Sequence, residues 1–144
     1  MRKITIKEVQ EMQLSLIKKL RRGYVTVVFG CVGYSDKEKR SMMGKIASNF
    51  ANKIIVTTDN IGNANFEEIY SDCVRDIGNY CIVESIPDRE NAIRSVFEKM
   101  QANETLVILG KGAEDKQVIG GKSVPYSDVE VVRKLIGEGE NSGS

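Results

Sequence analysis

From Tyr24 to Cys31 the chain is almost continuously apolar and rich in β-branched residues, with a single glycine near its end. A strand that buries one face alternates apolar and polar positions; a run without alternation fits a strand buried on both faces, as in a parallel sheet. Ahead of it, Val9, Met12, Leu16, Ile17 and Leu20 form a helical stripe that Gly23 ends. Behind it, Met43, Ile46, Ala47 and Phe50 recur at helical spacing before a short strand, Ile54 to Thr58. Asn65 is placed to cap a further helix with Phe66, Ile69, Tyr70 and Cys73 inward, and Tyr80 to Val83 supplies another strand. Asp88 opens a helix with Ala92, Ile93, Val96, Phe97 and Met100 inward, and Thr105 to Leu109 follows as strand. Gln117 to Ile119 and Lys122 to Val124 straddle Gly120-Gly121 as a hairpin, and Tyr126 to Ile136 closes the chain as a helix.

This alternation predicts an α/β fold: a doubly wound, mainly parallel, Rossmann-like sheet with right-handed crossovers and a short β-hairpin near the C-terminus. One domain is expected over residues 1–136, with the Gly-, Ser- and Glu-rich stretch 137–144 as a disordered tail.

Composition narrows the function classes. Lys and Arg total 21 against 20 Asp and Glu, so no overall charge draws the chain to nucleic acid or to a membrane, and neither is expected as a partner. Polar residues interrupt the apolar positions after Met1-Arg2-Lys3, and no apolar run is long enough to span a bilayer. Cys31, Cys73 and Cys81 are odd in number and form no C-x-x-C pair, which fits reduced thiols in the cytoplasm. With no histidine in the chain, Ser-His and Cys-His dyads are excluded.

Three loops follow the predicted strands, at the edge where an open α/β sheet places its ligands. In the first, Gly30 and Gly33 let backbone N–H groups approach an anion at the next helix N-terminus, with Lys37, Lys39 and Arg40 supplying charge. The same residues also suit a plain strand-to-helix turn followed by solvated cations. The second loop, Thr57-Thr58-Asp59-Asn60, reads equally as an Asx-turn. In the third, Gly110-Lys111-Gly112-Ala113-Glu114-Asp115 follows a strand and precedes the hairpin. There is no complete G-x-G-x-x-G fingerprint and no Walker sequence.

Taken together, Phe29-Gly30-Cys31-Val32-Gly33, Asp59-Asn60 and Gly110-Lys111-Gly112-Ala113-Glu114 resemble the C-terminal domain of the Mur ligase family, above all the members that add the third amino acid of the muramyl peptide. The first loop matches the family's Gly-Gly-Asp-Arg-Asp-Lys-x-Lys-Arg-x-x-Met segment at Gly33, Asp36, Lys37, Lys39, Arg40 and Met43, with Tyr34 and Ser35 in place of Asp and Arg. Asp59 and Asn60 match the Asp-Asn-Pro-Arg specificity motif, with Ile61 and Gly62 in place of Pro and Arg. Gly110, Lys111, Gly112 and Glu114 match Gly-Lys-Gly-His-Glu, with Ala113 in place of His; Gln117 and Ile119-Gly120-Gly121 also align.

The resemblance implies roles. Asp59, Asn60, Gly110 and Glu114 would bind the amino acid, and Gly33, Asp36, Lys37, Lys39 and Arg40 would lie near the nucleotide phosphates; no metal ligand and no catalytic residue is assigned. ATP and magnesium would serve the complete ligase, with neither held tightly here. The partners would be the central ATPase domain and the N-terminal UDP-sugar-binding domain, in cis or in trans, and the isolated chain would be catalytically silent. A serine cannot replace a bidentate guanidinium, and the arginine missing at Gly62 holds the distal carboxylate in diaminopimelate-adding enzymes, so diaminopimelate is disfavoured. A stand-alone binding or interaction module that has kept the fold and lost the chemistry is the alternative.

Overall fold

The computed structural model describes residues 23–31, 33, 37–61, 64–109, 116–119 and 122–142, without the side chains of 119 and 139–142. The helix expected between Val9 and Leu20 lies outside the described residues. The order is β1 (Val25–Cys31), α1 (Lys37–Ser48), β2 (Lys53–Thr58), α2 (Phe66–Val74), β3 (Ile82–Ser85), α3 (Arg89–Lys99), β4 (Thr105–Ile108), β5 (Lys116–Ile119), β6 (Lys122–Pro125) and α4 (Asp128–Ser142).

Strands β1 to β4 form one sheet in the order β3-β2-β1-β4. Every pairing in it is parallel, with Val27 opposite both Ile54 and Val107, and Ile54 opposite Val83. The nearly continuous apolar run of β1 is explained by its place between β2 and β4, where both faces are covered and even Thr26 is buried. Val25, Val27, Phe29 and Cys31 pack with Ile46, Ala47, Ile69 and Cys73 on one side. Val28 and Ile55 point the other way, toward Ala92, Ile93, Val131 and Leu135. Each such fully buried Val, Ile or Phe contributes about 1.5–3 kcal/mol of transfer free energy. Strands β5 and β6 form a separate antiparallel hairpin, Gln117 opposite Val124.

Helix starts follow the sequence. The side chain of Asn65 accepts from the Glu68 N–H, and that of Asp88 from the Asn91 N–H, each cap residue being extended. Two elements differ from expectation. Strand β3 begins at Ile82 rather than Tyr80, because Tyr80 lies in a turn, its hydroxyl 3.0 Å from Ser48 Oγ, and pairing with β2 starts only at Ile82, whose N–H donates to the Asn52 carbonyl. Helix α4 begins at Asp128 rather than Tyr126 and runs past Ile136 to Ser142, and Glu138 accepts a 3.0 Å bond from Arg94 of α3. The remaining tail residues, 143–144, are outside the described set.

Inside the first cluster, Cys31 Sγ and Cys73 Sγ lie 3.2 Å apart, both thiols free. The hydrogen bond with Cys73, together with burial, pushes the Cys31 thiol far above its ordinary value of 9.0, and burial raises Cys81 as well. A raised folded-state value favours the protonated native state, so the stabilisation is complete below the unfolded thiol's pKa and is lost as pH rises above it. The free energy of unfolding under reducing conditions should therefore decline above pH 9, Cys31 alone contributing about 1.4 kcal/mol per pH unit. Urea titrations at a series of pH values check this, and Cys31→Ala should flatten the decline.

Candidate functional site

Because β1, β2 and β4 run parallel, the segments that follow them leave the same edge of the sheet. Gly33 follows β1 and donates its N–H to the Asn60 carbonyl beyond β2 at 3.2 Å. A Cβ on Gly33 would lie 2.0 Å from the Ile61 carbonyl oxygen, so only glycine permits this approach of the two loops.

Asn60 is at the centre of the arrangement. Its φ of +49° is the one positive value at a non-glycine among the described residues, in the left-handed region that Asn tolerates better than most. The turn aims its side chain across to the hairpin, where Oδ1 accepts from the Val118 N–H at 2.8 Å. The neighbouring Thr58 Oγ1 accepts from Gln117 Nε2 at 3.0 Å. Backbone and side chain of Asn60 thus join the first loop to the hairpin, a longer reach than the Asx-turn its sequence also allows. Asp59 is buried at 5% exposure, and its carboxylate helps to hold a nearby guanidinium protonated.

That guanidinium belongs to Arg89, the first residue of α3, which is 1% exposed. Nε and Nη2 donate to the two carboxylate oxygens of Asp128 at 2.9 and 2.8 Å. Nη1 donates to the Thr58 carbonyl at 3.2 Å, and Nη2 also to the Leu109 carbonyl at 2.9 Å. Burial alone would lower its pKa, but the bonds and charge of Asp128 outweigh it and raise the value. Burial, then the Asp128 carboxylate, likewise pushes the Tyr126 phenol above its usual range.

The sequence-derived candidates divide. Asp59, Asn60 and Gly33 come together at one edge. Lys37 and Lys39 are exposed in the first turn of α1. Arg40 turns inward: Nη1 donates to Asp72 Oδ2 at 2.9 Å and Nη2 to the Gly33 carbonyl at 3.2 Å, so it holds the loop from beneath and is no part of a solvated turn. Asp36, Gly110 and Glu114 lie outside the described residues, as do Ser35 and Gly62. Two residues of this edge went unassigned in the sequence, Arg89 and Asp128. A signal existed: a cation at a helix N-terminus is electrostatically unfavourable and implies a partner.

Among the described residues no group of three His, Cys, Asp or Glu side chains could hold a metal ion. No helix among the same residues is long and apolar enough to cross a membrane.

Residues 8–112 match the family model described as "Mur ligase, glutamate ligase domain". The UDP-N-acetylmuramoyl-L-alanyl-D-glutamate–2,6-diaminopimelate ligase of Rickettsia typhi (strain ATCC VR-144 / Wilmington) is 41% identical over 114 residues, 79% of this chain and 23% of that protein. The protein of the same name from Buchnera aphidicola subsp. Acyrthosiphon pisum (strain APS) is 36% identical over 115 residues, 80% of this chain and 23% of its own length. A solved structure of a ligase of that name superposes with a TM-score of 0.87 at 33% identity, covering 93% of this chain and 28% of the other. The chain spans about a quarter of the length of the curated relatives it matches.

Proposed function

Since the chain belongs to the Mur ligase family, as its glutamate ligase domain, we propose that it receives and orients the incoming amino acid in an ATP-dependent muramyl-peptide ligase of cytoplasmic peptidoglycan synthesis. The observation that carries this reading is the meeting of the β1 exit, the β2 exit and the β5 strand of the hairpin at Asn60. Gly33 is tied to its carbonyl and Val118 to its carboxamide, while Asp59 is buried beside them.

The proposed work of the domain is positioning. Glu114 and the Gly110 carbonyl orient the substrate ammonium, since a carboxylate and a carbonyl are the acceptors such a group requires. Asp59 and Asn60 set the floor of the same site. Asp36, Lys37 and Lys39 are assigned to the nucleotide phosphates, with Arg40 holding Gly33 in place. Activation of the peptide carboxylate falls to the central domain of the family, whether joined in cis or met in trans. The isolated chain is accordingly expected to release no phosphate from ATP and magnesium in the presence of UDP-muramyl dipeptide and mixed amino acids.

The relatives are named for 2,6-diaminopimelate, but Ser35 and Gly62 stand where the resemblance calls for arginines. An amino acid without a second carboxylate fits this chain better. The replacements at Ser35, Gly62 and Ala113 also favour one second reading, a binding module that no longer supports ligation.

Calorimetric titration of the 144-residue chain with L-lysine and with diaminopimelate tests the amino-acid role. Glu114→Ala should weaken the preferred amino acid by about tenfold or more, the loss of a charge-assisted contact. An unchanged affinity would remove Glu114 from the site.

A further inference from the structure

Strands β2 and β4 are not neighbours: β1 lies between them, so no backbone ladder links the exits that lead to Asp59-Asn60 and to Gly110–Glu114. Arg89 makes that link, bonding the Thr58 carbonyl, the Leu109 carbonyl and both Asp128 oxygens with one planar group. We propose that Arg89 is a positioning residue for the amino-acid site, fixing the spacing of the two loops proposed to hold the substrate. The identity of the ligand rests on the functional reading above; the coupling of the two loops does not.

Three features support the assignment. The guanidinium is rigid and carries donors in a fixed fork, so the separation of the two carbonyls is set by its own dimensions. A lysine ammonium could answer Asp128 but could not hold both carbonyls and both carboxylate oxygens at their present positions. The middle strand also leaves room at this level. By alternation Gly30 shares its face with Val28, toward α3, and a Cβ there would lie 2.8 Å from the Thr58 carbonyl carbon. Asp128 in turn anchors the far end of the hairpin, because β6 ends at Pro125 and α4 begins at Asp128. Leu109 at the end of the β4 exit is thus held by Arg89, and β5 is held by Thr58 and Asn60.

The test uses the full 144-residue chain labelled with nitrogen-15, as wild type, Arg89→Lys, Asp128→Asn and Ile93→Val. The last variant trims the core one helical turn from Arg89 without removing any of its hydrogen-bond partners, and controls for lost stability. Amide shifts are read with and without L-lysine or meso-diaminopimelate. In Arg89→Lys and Asp128→Asn the amides of Asp59, Asn60 and 110–115 should move together while those of Val27 and Ile69 hold. Affinity for whichever probe the wild type binds should fall about tenfold or more. Ile93→Val should lower the melting temperature and leave both loops in place. Should Arg89→Lys fail to fold, Asp128→Asn carries the same readout. The assignment is overturned if either folded variant leaves one of the two loops unmoved, or if Ile93→Val moves them equally. If the wild type binds neither probe, the functional reading fails, and the concerted loop shifts still decide the role of Arg89.

Discussion

Arg89→Met is expected to destabilise the chain by about 3–5 kcal/mol, a large part of what holds a domain of this size together. The substitution leaves the Asp128 carboxylate, whose side chain is 8% exposed, without its cation. It also strips a donor from the Thr58 and Leu109 carbonyls. These two losses can be separated. In Arg89→Met/Asp128→Leu the stranded charge is gone, so the part of the loss due to the carboxylate should be recovered, since a buried ion pair replaced by apolar groups is often neutral. The two carbonyls still lack donors, at about 1–3 kcal/mol each where they stay dry. Chemical denaturation of the three proteins should therefore rank them wild type, double variant, single variant. A double variant no more stable than Arg89→Met would mean that the pair contributes little and the carbonyl bonds dominate.

Gly44→Ala should be at least as damaging, although alanine is ordinarily the better helix former by about 1 kcal/mol. Gly44 lies in α1 against the end of α2, and an added Cβ would sit 1.9 Å from the Cys73 carbonyl oxygen. The obstacle is backbone, which cannot rotate away, so α1 and α2 would have to separate and open the core around Ile46, Ile69 and Cys73. Overpacking of this kind costs about 1–3 kcal/mol where side chains can yield, and more where they cannot. Arg40–Asp72 crosses the same helix pair, so the displacement would also loosen the support under Gly33. Thermal unfolding followed by circular dichroism checks this: a melting temperature at or above that of the wild type would contradict the close approach of the two helices.

What the sequence disclosed and what it withheld have physical causes. The parallel sheet was legible because a strand covered on both faces must be largely apolar on both, and Val25 to Phe29 in β1 show that with Thr26 as the one polar residue. Asn65 and Asp88 were legible as caps because they act within their own helix turn. The inward face of α3 was likewise visible at Ala92 and Ile93 from spacing alone. Contacts between distant segments left no such trace. Nothing local tells that Asn60 reaches Val118, that Gly33 meets Asn60, or that Arg89 closes on Asp128, because their partners lie 27 to 58 positions away. Arg40 belongs to the same class: its position beside two lysines reads as a charged helix start, and only packing shows that it turns inward to Asp72. The end of α4 was hidden for a related reason: the glycines at 137 and 139 read locally as a helix stop, while the contact that Glu138 makes is with Arg94, 44 positions away.

The claim that this domain selects the amino acid for a Mur-type ligase is tested most directly by exchange. The corresponding domain of the Rickettsia typhi ligase would be replaced by this chain, and phosphate release and product mass would be followed with ATP, magnesium, UDP-muramyl dipeptide and either L-lysine or diaminopimelate. Each missing guanidinium contact is worth about 1.5–3 kcal/mol, or more than tenfold in selectivity. The account predicts amide formation that favours lysine over diaminopimelate and disappears with Glu114→Ala. A folded chimera that forms no amide with any amino acid, or one that selects diaminopimelate and is indifferent to Glu114→Ala, would contradict it.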